Sequence, residues 1–169
     1  MSNQMYAGPG AGSLCVAAWQ LRRLAHSTDM TAESLSNTLG ELNENWKGSS
    51  SDLMADAAGR YLKWLSKHSI QIVRTAYAIE SVVRAYEATR HRVVPPEVIA
   101  SNREEVDRLI ASNVAGENAP AIAGLERRYQ QYRAENIQAM DRYLRWTGNK
   151  LSDLPRWQGP PQIHRGRGG

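Results

Sequence analysis

Apolar residues recur in alternating steps of four and three residues from Leu14 to Trp46. This spacing places them on one side of an α-helix, because two helical turns take about seven residues. It predicts a long helix that packs against another helix along its whole length. Gly40 lies within this segment and lowers helix stability by only about 1 kcal/mol relative to alanine. The series consists of Leu14, Ala18, Leu21, Ala25, Thr28, Ala32, Leu35, Leu39, Leu42 and Trp46.

A second helical pattern begins at Ser49, which can cap a helix together with Asp52 three residues later. Two apolar stripes lie side by side along it, so the apolar face of this helix is wide. A helix of roughly 40 residues would be about 60 Å long. We therefore expect an outside partner to cover part of its surface. The first stripe contains Leu53, Ala57, Tyr61, Trp64, His68, Ile72, Ala76, Ile79, Val83 and Tyr86, and the second contains Met54, Ala58, Leu62, Leu65, Val73 and Tyr77.

The two patterns are joined by a turn that contains Trp46 and Gly48. Trp46 is the last residue of the first series, so its ring is expected to close the apolar face at that end. Gly48 can adopt the positive φ that reverses the chain. The sequence therefore predicts a helical hairpin with a Trp-x-Gly turn, and from this pair alone ordinary packing is the simpler interpretation.

The remaining chain is also helical in pattern. Pro95 and Pro96 end the second helix and can start a shorter one, which ends near Asn113. A last long helix ends near Gly148 or Leu151. The predicted fold class is all-α, an elongated bundle of long antiparallel helices. The predicted organisation is a flexible N-terminal segment over 1–12, a helical domain over 13–152, and a disordered tail rich in Pro, Gly and Arg over 153–169.

Composition and the absence of recognisable targeting signals narrow the possible functional classes. The chain is 41% hydrophobic and 22% charged, which is typical of a globular domain. No segment approaches the roughly 18 apolar residues of a membrane helix, and the N-terminus lacks a secretory signal. Either the protein stays inside, or it leaves by a route that does not read such a signal. The lone Cys15 is expected to be a buried free thiol.

Two other functional classes were weighed. Catalytic or metal chemistry is disfavoured because the four histidines lack ligand spacing and one cysteine cannot complete a thiolate site. No cofactor is therefore expected. A basic helical nucleic-acid-binding protein is an alternative, but three arginines beyond Leu154 account for most of the net charge of +4. That alternative would use Arg22, Arg23, Arg127, Arg128 and the Arg-Gly tail.

Short segments spread along residues 5–147 together carry a family resemblance. They are Met5–Leu14, Trp46–Gly48, Tyr61 with Trp64 and Leu65, Ala85–Ala88, Val94–Pro96, Asn102 and Arg103, Asn113–Gly116, and Asn118–Ala123. In this order and spacing the chain resembles the mycobacterial PPE family. That family normally carries Pro-Pro-Glu ahead of the Met-Tyr-Ala-Gly-Pro-Gly segment, whereas Pro95–Glu97 is internal here. The resemblance is therefore to an N-terminally shortened or divergent member, and a decayed, non-functional member is a further alternative.

The resemblance implies a non-enzymatic helical protein that pairs with a PE-family partner and is exported by a type VII secretion system. The protein would be cytosolic before export and then secreted or held at the cell surface. No tyrosine here begins the Tyr-x-x-x-Asp/Glu export signal, so we expect export as cargo of the partner. The expected partner interface consists of Leu14, Leu21, Leu35, Leu39, Leu42, Tyr61, Trp64 and Ile72.

The resemblance also implies that an EspG-type chaperone holds the tip between the last two helices. The family normally offers two bulky apolar residues before the glycine of this tip, whereas Val114 and Ala115 stand here. We therefore expect weak chaperone binding. The expected chaperone-binding residues are Asn113, Val114, Ala115, Gly116, Asn118 and Pro120.

Overall fold

The computed structural model describes residues 2–162. These residues form five α-helices and no strand, so the predicted all-α class is confirmed. Part of the predicted disordered tail, residues 163–169, lies outside the described residues. The helices are α1 (Ser2–Ala7), α2 (Gly12–Asn45), α3 (Ser49–Arg90), α4 (Pro96–Ala111) and α5 (Ala119–Ser152).

The chain divides into two compact units, which we describe separately. The hairpin unit consists of residues 14–80 and, among the described C-terminal residues, 153–162. The α4–α5 unit consists of the residues up to 13 together with 81–152. Helix α3 contributes to both units, because the boundary falls between Glu80 and Ser81.

The N-terminal segment is helical in the structure, although the sequence predicted a flexible segment there. Ser2 and Met5 of α1 are buried. The Ser2 hydroxyl donates a hydrogen bond to the Val94 carbonyl at 2.6 Å, and the Tyr86 hydroxyl donates to the Met5 carbonyl at 3.1 Å. These contacts hold α1 against distant parts of the α4–α5 unit. Gly10 then provides the turn toward α2 with a φ of 68°.

Buried amides fix the packing of α4 against α5. Asn136 is buried, and its Oδ1 accepts a hydrogen bond from the Val94 backbone N–H at 2.8 Å. Asn102 is also buried and donates from Nδ2 to the Leu125 carbonyl at 3.1 Å. Since a buried polar group is costly when unpaired, these bonds favour one register of the two helices. Apolar residues buried around them include Val93, Val106 and Ala139.

Candidate interaction surfaces

The turn of the hairpin is built around Trp46 and Gly48. Helix α2 ends at Asn45, and Gly48 has a φ of 126°, a conformation that favours glycine. The Ser51 hydroxyl donates to the Trp46 carbonyl at 2.8 Å, which ties the first turn of α3 to the end of α2. The Trp46 ring remains 42% exposed. The turn thus brings the two predicted residues together and leaves much of the indole accessible.

Small residues, together with Leu65 and Ile72, form the interior of the hairpin. Ala18 and Ala25 are the buried residues of α2, and the Ser69 hydroxyl donates to the Ala25 carbonyl at 3.2 Å. Ile72 is 1% exposed, and Ala76 is also fully buried. Ile72 was assigned to the partner interface from the sequence, but it lies in the hairpin interior and offers no surface to a partner.

The predicted partner-interface residues on α2 are half-buried or exposed. Leu21, Leu35 and Leu39 are half-buried on α2, while Leu14 and Leu42 are exposed near its two ends. The heptad series therefore faces the hairpin interior for part of its width. A role of these leucines in binding a partner stays a prediction.

A further set of apolar side chains, of which the sequence analysis named only Leu53 and Tyr77, is exposed on the hairpin unit. Trp19 is 56% exposed and Leu53 is 72% exposed. A signal for part of this set exists, because Val16, Trp19 and Met30 follow heptad spacing next to the assigned series. Two polar residues at intervening positions, Arg23 and His26, conceal it. We call this set the outer apolar set; it contains Val16, Trp19, Leu24, Met30, Leu53, Ile70 and Tyr77.

Aromatic rings form a continuous row along α3. The ring centroids of Tyr61 and Trp64 are 5.4 Å apart, and those of Trp64 and His68 are 4.7 Å apart in a stacked arrangement. The edge of this row is met by Trp157 from the C-terminal segment, 5.1 Å from His68. Residues 155–162 have no helical structure, but Pro155, Trp157 and Gln158 contact α3. Trp64 is therefore already engaged by the C-terminal segment.

Arg22, invoked for nucleic-acid binding, is engaged within the protein. Its guanidinium donates to both carboxylate oxygens of Glu80, at 2.7 and 2.9 Å, and lies over the Tyr77 ring at 4.4 Å. The hydrogen bond to Glu80, followed by the interaction with Tyr77, raises the pKa of Arg22 above its ordinary value. Arg23 lies over the Trp19 ring at 4.8 Å. Two further arginines of this alternative, at 165 and 167, lie outside the described residues.

The tip between α4 and α5 is closed by two asparagines. The Asn113 Oδ1 accepts from the Asn118 backbone N–H at 2.9 Å, and the Asn118 side chain donates to the Leu109 carbonyl at 3.0 Å. Gly116 has a φ of 84°, so this position favours glycine. These bonds fix the loop and leave Val114 93% exposed.

The ends of the tip differ slightly from the sequence prediction. Helix α4 ends at Ala111, two residues before Asn113, and α5 begins at Ala119. Pro120 is therefore the second residue of α5 and lies in its first turn, where a missing N–H leaves no hydrogen bond unmade. Ala115 and Pro120 are exposed beside Val114. The hydrogen bond between Asn113 and Asn118 brings the two sides of the predicted tip together.

Three further features bear on chemistry and location. Cys15 is exposed, so the expectation of a buried thiol is wrong; it lies between two exposed apolar residues on α2. Among residues 2–162 no three His, Cys, Asp or Glu side chains are grouped as metal ligands. Within the same range, no helix combines the length and apolar character that crossing a membrane requires.

Comparison with known proteins gives one consistent result. The sequence profile of the PPE family matches residues 1–155. A relative from Mycobacterium tuberculosis (strain ATCC 25618 / H37Rv), named "Uncharacterized PPE family protein PPE59", is 64% identical over 169 residues, covering 100% of this chain and 95% of the relative. "PPE family protein PPE57" from the same strain is 61% identical over 166 residues, covering 98% of this chain and 94% of the relative.

A more distant relative shows that longer proteins share this region. "Uncharacterized PPE family protein PPE29", also from the H37Rv strain, is 35% identical over 161 residues. The match covers 95% of this chain and 38% of that relative. The region described here therefore corresponds to part of PPE29 and to nearly all of PPE59.

Proposed function

The chain belongs to the PPE family, and we propose that it is a non-enzymatic protein that forms a heterodimer with a PE-family partner. In this proposal the pair is exported by a type VII secretion system, and an EspG-type chaperone keeps it competent for export. This chain travels as cargo of its partner, because none of its tyrosines begins the Tyr-x-x-x-Asp/Glu signal. Its destination is the cell surface or the medium.

The observation that carries the pairing proposal is the outer apolar set on the hairpin unit. Trp19, Leu53 and Ile70 are each more than half exposed. On an ideal helix Leu53 and Ile70 lie about 100° apart around α3, so these exposed side chains face more than one side of the hairpin. A helical partner that covers them must therefore pack along more than one side of it. Burial of a tryptophan and several aliphatic residues would supply a large hydrophobic free energy of association.

Co-expression with a candidate PE-family partner, such as the product of a neighbouring gene, tests this proposal. We expect the chain to co-purify with that partner in a one-to-one complex, and to give a higher soluble yield with it than alone. The control is co-expression with an unrelated PE protein. Equal solubility in the absence of any partner, together with no co-purification, would contradict the proposal.

The chaperone part of the proposal is supported by the tip. Val114 is almost fully exposed on a loop that asparagine side chains hold in place. A rigid loop that presents an apolar side chain loses little conformational entropy on binding. The short side chain of Ala115 beside it limits the apolar area that a chaperone can cover.

We predict that the tip binds its chaperone weakly and that Ala115→Leu strengthens binding. Leucine adds two or three methylene equivalents, which at roughly 0.8 kcal/mol each gives about 2 kcal/mol, or some thirtyfold in affinity. Val114→Arg should abolish binding without affecting the fold, because this side chain is already in solvent. Calorimetric titration of the paired protein with its chaperone provides the measurement.

The matched control for the tip is Ala134→Leu, the same change at an exposed position of α5. It should leave the affinity unchanged. If neither tip variant alters binding, the loop is only a connection between two helices and the chaperone proposal fails.

A further inference from the structure

The C-terminal segment contacts α3 at three successive positions. We call residues 155–158 the C-terminal strap. Gln71 Nε2 donates to the Pro155 carbonyl at 2.8 Å, and Trp64 Nε1 donates to the Gln158 carbonyl at 3.0 Å. Between these two hydrogen bonds, the Trp157 and His68 rings form a T-shaped pair with centroids 5.1 Å apart.

The spacing of these contacts follows from regular geometry. Trp64, His68 and Gln71 are separated by four and three residues, so they lie on one face of α3. From residue 64 to residue 71 the helix rises about 10.5 Å, and three extended residues of the strap span about 10 Å. The order of the contacts is reversed, so the strap lies antiparallel to α3. Each strap residue in contact therefore meets its own position on the helix.

The sequence also keeps the strap out of a helix. Helix α5 ends at Ser152, and Pro155 lacks a backbone N–H and disfavours a helical conformation in the residue before it. Pro155 also restricts the free chain, which lowers the entropy lost when the strap docks. The segment is thus prepared for an extended conformation on the surface of α3.

We propose that the C-terminal strap is an intramolecular cover of the face of α3 that carries Trp64, His68 and Gln71, and that it is displaced when the PE-family partner packs on that face. This inference rests on the proposed heterodimer. Tyr61 and Trp64 belong to the expected partner interface, and Trp64 is the residue that the strap engages. The strap and a partner helix therefore compete for the same indole.

The contacts between the strap and α3 are weak enough for the strap to be displaced. Both hydrogen bonds are made at exposed positions, where water can replace either partner, so their net contribution is small. Trp157 remains 53% exposed while docked. Fixing four residues costs conformational entropy that offsets these gains. A partner helix that buries the Trp64 ring more completely would therefore displace the strap.

Partner binding by strap variants tests the competition. Full-length chain carrying Trp157→Ser is titrated against the immobilised PE-family partner identified by co-expression. Loss of one aromatic contact of about 1 kcal/mol should weaken docking and raise the affinity for the partner up to about fivefold. Arg156→Ala is the matched control, because Arg156 is an exposed strap residue, and it should bind as the unmodified chain does.

The alternatives give distinct results. An unchanged affinity of Trp157→Ser would overturn the competition. A reduced affinity would mean that Trp157 belongs to the partner interface, and this too would refute the proposal. Failure of every variant, including the unmodified chain, to bind the PE protein would refute the heterodimer and with it any competition.

Docking of the strap is measured separately on the unpaired full chain. Trypsin cuts after Arg156, within the strap, so docking should slow this cut. Gln71→Leu removes the hydrogen bond to Pro155 and should increase the rate of that cut several-fold, because local opening limits proteolysis. Ser66→Ala, at an exposed position of α3, is the control. Equal rates in all three chains would show that the strap is not docked, even if a PE partner binds normally.

Discussion

Ile72→Ala is expected to lower the free energy of unfolding by about 3 kcal/mol, whereas Ile70→Ala is expected to lower it by less than about 1 kcal/mol. The two changes remove the same atoms from the same helix, two residues apart. Ile72 is 1% exposed in the interior of the hairpin, while Ile70 is 54% exposed in the outer apolar set. The first substitution therefore leaves a cavity, and the second mainly removes a side chain from water.

Urea denaturation followed by circular dichroism measures both values. The same pair of variants also separates stability from binding. Ile70→Ala should lower the affinity for the PE partner more than it lowers the free energy of unfolding. Equal destabilisation by the two substitutions would mean that α3 does not present these two faces as described.

The pattern of apolar residues was sufficient to predict the four longer helices. Their apolar residues recur over many turns, and Pro95, Pro96 and Gly48 mark the ends clearly. Helix α1 was missed because six residues are too few for a periodic pattern. Its position depends on Ser2 and Met5, which contact residues more than 80 positions away. Local propensity carries no information about such contacts.

The partner surface was harder to predict than the fold. Heptad spacing is required both of a helix that packs within its own chain and of one that packs against a partner. The leucines of the series from Leu14 to Trp46 were assigned to the outside partner, whereas Ala18 and Ala25 of the same series are buried within the chain. Side-chain size supplies a distinction that periodicity lacks. Small residues allow the two helices of the hairpin to approach, and large ones such as Trp19 remain outside.

Composition alone was likewise insufficient to predict the contacts of the C-terminal segment. Its Pro, Gly and Arg content is typical of disorder, and residues 155–162 indeed form no helix. Trp157 is the exception in this composition. Its partner is His68, and the two residues are distant in sequence. A lone tryptophan in a polar tail was therefore the available signal for a docking contact.

Trp19→Ala is expected to reduce the affinity for the PE partner by at least about thirtyfold, or about 2 kcal/mol, with little change in the stability of the unpaired chain. Tryptophan is the side chain most often responsible for a large share of binding free energy at protein interfaces. Trp19 is 56% exposed, so its removal leaves no cavity in the hairpin. Arg23, which lies over its ring at 4.8 Å, is exposed and would be solvated by water instead.

The matched control is Trp146→Ala, the same change at an accessible position of α5. Trp146 is 38% exposed, and Lys150 lies 5.8 Å from its ring, so both substitutions remove an indole with a neighbouring cation. Surface plasmon resonance with the immobilised partner should show weak binding for Trp19→Ala and unchanged binding for Trp146→Ala. The reverse result would move the partner from the hairpin to α5. Loss of binding in both would indicate a general effect of removing tryptophan, and thermal unfolding of the two variants would then reveal it.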